Sequence, residues 1–272
     1  MRLGVSEVGP FTLAALRFLI AAVPLVFFVR RPTVPVLFIA VYAATFGLGQ
    51  FGFLFVGIHL GLPSGLASLL EQLQVVFTAV FALLILQQKI SRATLSAIGV
   101  SLIGLFFIFI GSGKGSAAAV PILLGVAAAL SWGASNVVIA WGSSRGYQYN
   151  PVALVIWASA LLPAPFAGAA FVAGEFAGIT VSDLLFALLA AFYLGAMATV
   201  VAYNLWVKAL STYPAATVAP FSLLVPIIGL ALGWLVFGET LTLVEALGCG
   251  LVIAGVVVHM VGLRMRAARR LA

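Results

Sequence analysis

The sequence has 272 residues, 64% of them hydrophobic and only 7% charged, with a net charge of +7 and six acidic side chains. A soluble domain carries about a quarter charged residues, and six carboxylates cannot clothe a water-facing surface, so a soluble fold is excluded. The one cysteine, Cys249, rules out a disulfide framework and Cys/His zinc spacing, and basic residues scattered in ones and twos leave no patch for a nucleic acid.

Apolar runs of about 18 or more residues, punctuated by proline, glycine and charge, mark the membrane spans. The first, Pro10–Val29, stops at Arg30-Arg31-Pro32. Pro35–Ile58 and Pro63–Leu86 each open on a proline, and Lys89 and Arg92 precede Ala93–Ile110. Gly111-Ser112-Gly113-Lys114-Gly115 reads as a linker, since no strand precedes it and its spacing does not suit a phosphate loop. Ala118–Trp141, Pro151–Ala173, Leu184–Val207, Pro214–Phe237 and Leu243–Val261 complete nine candidate spans. In lipid each span must satisfy its own backbone hydrogen bonds, and near-continuous apolar runs suit helices rather than alternating barrel strands. The fold class is therefore all-α, a polytopic membrane helix bundle.

Assigning alternate loops to opposite sides gathers Arg30, Arg31, Lys89, Arg92, Arg145, Lys208, Arg264, Arg266, Arg269 and Arg270 on one face and leaves Arg2 and Lys114 on the other, ten against two. The richer face is cytoplasmic by the positive-inside rule. The C-terminus is then inside and the first span starts outside, so a tenth, N-terminal helix is expected to be missing from this chain.

Shifting the chain by 151 residues lays Tyr42 on Tyr193, Leu54 on Leu205, Pro63 on Pro214, Gly99 on Gly250, Gly104 on Gly255 and Gly111 on Gly262, without a gap. Five helices lie between matching spans, an odd number, so the second copy runs the opposite way through the membrane. Such an inverted repeat is a signature of secondary transporters, whose two copies exchange outward and inward openings.

Pro214 through Gly255, with Ala219-Pro220, Leu223-Leu224-Val225-Pro226, Gly238-Glu239 and a glycine-bearing last helix, resembles the EamA repeat of the drug/metabolite transporter superfamily. Leu16-Arg17-Phe18, Arg31-Pro32-Thr33-Val34-Pro35, Gly65-Leu66-Ala67-Ser68-Leu69 and Val155-Ile156-Trp157 look most like its members that export O-acetylserine and cysteine. The resemblance implies ten helices with both termini cytoplasmic. It divides the chain into a first repeat at 1–111, a second at 116–263 and a basic tail at 264–272. The first copy departs from the motif, with Val75 where the second has Pro226 and Gln88 where it has Glu239.

Ionisable residues within a membrane are functional candidates by default, and Arg17 and Glu71 qualify clearly. At 1.5 Å per residue each lies roughly 10–12 Å inside the outer face, and Gln50 reaches the same level. Arg17 is expected to hold a substrate carboxylate or to pair with Glu71; the competing readings are a purely structural pair, or Arg17 snorkelling outward beside a protonated Glu71. Glu71 also belongs to a stripe, Ala67-Glu71-Gln74-Thr78, on one helical face that suits a cavity wall. A second polar level holds Trp132 and Asn136, one turn apart, with Tyr203, Asn204 and Ser222, against which stand simple packing and an interhelical hydrogen bond. The expected substrate-binding set is Arg17, Gln50, Glu71, Gln74, Trp132, Asn136, Tyr203 and Ser222.

No nucleotide-binding motif is present to drive primary transport, and no convergent nucleophile, acid/base pair or metal set is visible. The expected function is secondary transport across a bacterial inner membrane, exporting amino acids or related metabolites. An integral membrane enzyme and a non-transporting membrane subunit are the alternatives, and drugs or sugar derivatives the alternative substrates. The expected partners are a small-molecule substrate and the lipid bilayer. No catalytic residue, cofactor or metal is expected, and Glu71 is the candidate carrier of a coupling proton.

Overall fold

The computed structural model describes residues 8–87, 92–111, 116–177, 179–202, 205 and 224–271, which contain helices and no strand. In chain order the elements are α1 (Pro10–Val26), α2 (Val36–Ala43), the π-helical π1 (Ala44–Phe51), α3 (Gly52–His59), α4 (Ser64–Leu70), a 3-10 turn (Glu71–Leu73) and α5 (Gln74–Leu86). There follow α6 (Arg92–Gly111), α7 (Ser116–Ser144), α8 (Pro151–Ala160), α9 (Pro163–Val172), α10 (Val181–Phe192), π2 (Tyr193–Val201), α11 (Leu224–Phe237) and α12 (Leu243–Leu271).

Every expected span coincides with helix among the described residues, with adjusted lengths. Among the described residues, six stretches are long and apolar enough to cross a membrane: Val36–His59, Ser64–Leu86, Ala119–Ser144, Pro151–Val172, Val181–Val201 and Leu243–Gly262. Pro10–Val26 and Leu95–Gly111 are shorter apolar helices, and the eighth span is described only from Leu224. Large apolar side chains point outward without an apolar neighbour to cover them; Phe28, Leu37, Val172 and Leu189 are between 71% and 87% exposed. That distribution is costly in water and natural against acyl chains.

Among the described residues, four spans depart from straight helices. The sixth breaks at Leu161–Leu162 because Pro163 has no N–H to continue it and restarts the helix at its first position. The second and seventh widen into π1 and π2, and a threonine sits in each. Thr45 Oγ1 donates to Val41 O and Tyr42 O at 3.0 and 3.2 Å, and Thr199 Oγ1 donates to Leu194 O, five residues back, at 2.8 Å. Hydroxyls thus occupy carbonyls that the widened turns disturb. The third tightens at Glu71–Leu73.

The chain forms two compact units, Met1–His59 with Val138–Ser211, and Leu60–Val137 with Thr212–Ala272. In the first, α1 is central and packs against α3, α8, α9, α10 and π2. Leu13, Ala14, Phe18, Ala21 and Ala22 are its buried face. Its N-terminus has no side-chain cap of its own, and Glu175 supplies one: Phe11 N donates to Oε1 at 3.1 Å, while Thr12 N and Thr12 Oγ1 donate to Oε2 at 2.7 and 2.8 Å. A carboxylate there meets both the orphan N–H groups and the positive helix end.

In the second unit α4 packs on α11, and α6 on α12. Glu239 repeats the capping device, accepting from Ser64 N at 2.8 Å and Gly65 N at 3.0 Å. The α6–α12 seam is built on glycine. A Cβ on Gly104 would stand 2.7 Å from Gly248 O and 2.8 Å from Val252 N; one on Gly255 would stand 2.9 Å from Ala97 O and 3.1 Å from Ser101 N. Adding 151 to Ala97, Ser101 and Gly104 gives Gly248, Val252 and Gly255, so the contact maps onto itself under the sequence shift. Backbones approach this closely only where side chains are absent, which is how helices associate in lipid.

Candidate functional site

The first unit holds a buried cation. Arg17 lies one turn before Ala21 on α1 and is 4% exposed. Its Nη2 donates to Thr199 Oγ1 on π2 at 3.1 Å, and the guanidinium carbon stands 3.9 Å from the centroid of the Phe51 ring and 5.5 Å from that of Phe18. A desolvated guanidinium over an aromatic face gains about 2 kcal/mol or more, which offsets part of the cost of removing it from water. The rings are themselves fixed in a cluster: Phe18 meets Phe46, Phe51 and Phe166 at centroid distances of 6.2, 5.5 and 5.9 Å, and Tyr42 stacks on Phe46 at 5.2 Å.

Close approach of π2 places Thr199. A Cβ on Gly195, one turn earlier, would fall 2.6 Å from Arg17 O. Thr199 also lines a small, partly open recess with Ala21, Val155 and Ser159. Gln50, 4% exposed, precedes Phe51 in π1 and belongs to the same unit as Arg17.

The second unit holds a neutral polar cluster. Asn136 Nδ2 on α7 donates to Gln74 Oε1 at 2.7 Å and to Thr78 Oγ1 at 3.0 Å, while Thr78 Oγ1 and Gln74 Oε1 lie 3.5 Å apart. Gly133 permits the approach, since a Cβ there would stand 3.0 Å from Thr78 N and 3.2 Å from Gln74 O. Gln74, Thr78, Trp132 and Asn136 are all half-buried, open enough to be reached and enclosed enough for their hydrogen bonds to count. Trp132 sits one turn before Asn136 on α7.

Glu71 is half-buried and opens the 3-10 turn of the second unit, whereas Arg17 is in the first. Tyr203 and Ser222, expected at the same polar level as Asn136, lie outside the described residues. Thr199, Ser159 and Phe51 were missed by the sequence reading. A threonine or serine in an apolar span back-bonds to its own helix too often to stand out, and a phenylalanine among 21 carries no mark.

The family model described as "EamA-like transporter family" matches residues 1–110 and 119–261. A protein of Salmonella typhimurium described as a "Probable amino-acid metabolite efflux pump" is 36% identical over 99% of this chain and 92% of its own. Its namesake in Escherichia coli K12 is 35% identical over 98% and 91%. One solved crystal structure, 20% identical, superposes with a TM-score of 0.59 over 94% of this chain and 90% of that one, a likeness of fold.

Proposed function

The chain belongs to the EamA-like transporter family, and on that premise we propose that it is a secondary transporter of the bacterial inner membrane exporting amino acids or closely related metabolites, of the cysteine and O-acetylserine kind. The observation that carries this reading is the buried Arg17, held between the Thr199 hydroxyl and the Phe51 ring. A guanidinium is a donor-only, permanently charged fork that matches a carboxylate. In a membrane such a group is expensive and marks a substrate path. Within the second unit, Gln74, Thr78, Trp132 and Asn136 offer amide, hydroxyl and ring surfaces suited to the polar and apolar ends of an amino-acid solute.

Alternating access in this reading rests on an inverted pair of five-helix repeats with a cytoplasmic C-terminus. The self-mapping Gly104 and Gly255 contacts support it, because two copies related by a two-fold axis meet through isologous surfaces. So does the backbone: adding 151 to Ala44–Phe51 gives residues 195–202, which nearly coincide with π2, Tyr193–Val201. The test is a screen of solute efflux, over amino acids and cysteine precursors, from cells with and without the protein. Faster efflux of an amino-acid-class solute supports export, and no difference across the screen refutes it.

A further inference from the structure

We propose that Ser159 supplies a hydroxyl donor to the carboxylate of the solute that Arg17 anchors, with Thr199 as the positioning residue that aims the guanidinium; the inference rests on the export reading above.

Serines in the helices of this chain commonly return their proton to their own backbone. Ser68, Ser135, Ser143 and Ser144 donate to Ser64 O, Trp132 O, Ile139 O and Trp141 O at 2.8–3.2 Å. Ser159 does not. Its Oγ is buried without a hydrogen-bond partner, the residue is 1% exposed, and it lines the recess shared with Thr199. A buried hydroxyl left unsatisfied is unfavourable unless something arrives to take its proton.

The chemistry of the arrival follows from the neighbours. Thr199 has spent its one proton on Leu194 O and presents only a lone pair, which Arg17 Nη2 occupies. Thr199 therefore fixes one arm of the fork and cannot itself donate to a ligand. Ser159 is the donor on the recess side, and the remaining lining residues, Ala21 and Val155 among them, are apolar. Among the described residues no acidic side chain lines the recess, so an ammonium group finds no counter-charge there, whereas a carboxylate finds the Ser159 hydroxyl, with the Arg17 guanidinium held just beyond Thr199. The enclosed room is about one water in size, so a single carboxylate oxygen enters and the rest of the solute stays outside.

The test uses the full chain with L-cysteine and L-cysteinamide under reducing conditions, read as half-saturation of transport in proteoliposomes and as the ligand-dependent rise in Tm in detergent. Wild type should prefer the acid over the amide. Ser159→Ala and Thr199→Val should each weaken the acid by about tenfold and the amide by distinctly less, because a hydrogen bond to a carboxylate is stronger than one to a neutral carbonyl. Thr199→Ser, which keeps the hydroxyl, should restore the preference. If wild type exports cysteine but both variants keep the acid preference, or if acid and amide weaken equally, the Ser159 assignment is overturned while export stands. Should wild type export neither probe yet show an acid-specific Tm rise that both variants lose, the export reading fails and the carboxylate site survives. Absence of any acid preference in wild type by either readout overturns the site.

Discussion

Gly104 and Gly255, 151 residues apart, make the same contact from opposite sides of one helix pair: each lies against a backbone oxygen and the nitrogen four residues on, Gly248 O and Val252 N for the first, Ala97 O and Ser101 N for the second. The seam admits no side chain at either point. Gly104→Ala and Gly255→Ala should each cost about 1–3 kcal/mol by forcing α6 from α12. Gly99→Ala and Gly250→Ala, where a Cβ meets nothing within 4 Å, should be neutral or stabilise by about 0.5–1 kcal/mol. Thermal unfolding in detergent checks the contrast, and equal losses at all four positions would remove the seam from the account.

The Asn136 to Gln74 hydrogen bond at 2.7 Å predicts coupling. Asn136→Leu or Gln74→Leu alone should reduce transport with near-normal membrane expression and leave the partner amide unsatisfied, at about 1–3 kcal/mol. The double variant should lose less than the sum of the two. Transport surviving both single changes would make the cluster a packing element.

Arg17 is held by shape as well as charge, so Arg17→Lys should not rescue it. A lysine keeps the cation and loses the planar fork that both reaches Thr199 and stacks on Phe51. Transport by Arg17→Lys should fall at least about tenfold, near the level of Arg17→Gln. Phe51→Leu should lower Tm, in keeping with loss of about 2 kcal/mol of cation–π attraction. Wild-type transport by the lysine variant would show that charge alone is used.

Glu175 and Glu239 cap helices whose own sequences offer no capping side chain. Glu175→Gln and Glu239→Gln should each destabilise by about 0.5–2 kcal/mol and leave the acid-over-amide preference intact. A shift in that preference would place the carboxylates in the solute path instead.

Charge bias predicts that cysteines at Glu175 and Arg145 are labelled from opposite faces, Glu175 from outside. Labelling both from one side contradicts the proposed topology.

Much of the fold was legible because lipid forces apolar length onto every span, and proline marks where spans begin. Pro63 and Pro151 each stand at a helix start. The local departures were not legible, since π1 and π2 arise from threonines and glycines that read equally well as straight helix. Within the sites, Gln74 and Asn136 announced themselves by polarity and depth. Thr199 and Ser159 did not, because a hydroxyl is cheap in a membrane helix and only the surrounding geometry says whether its proton is already taken. Polar residues also break the repeat that the glycines keep: the 151-residue shift carries Gln50 to Val201, Gln74 to Val225 and Thr78 to Gly229, and lays Leu48 on Thr199.

The most direct measurement is release of labelled cysteine from preloaded proteoliposomes containing the purified full chain, compared with protein-free vesicles and with the Arg17→Gln protein at equal incorporation. The account predicts saturable release by the wild type and release near the protein-free rate for Arg17→Gln. Wild-type release no faster than from empty vesicles, or undiminished release by Arg17→Gln, would contradict it.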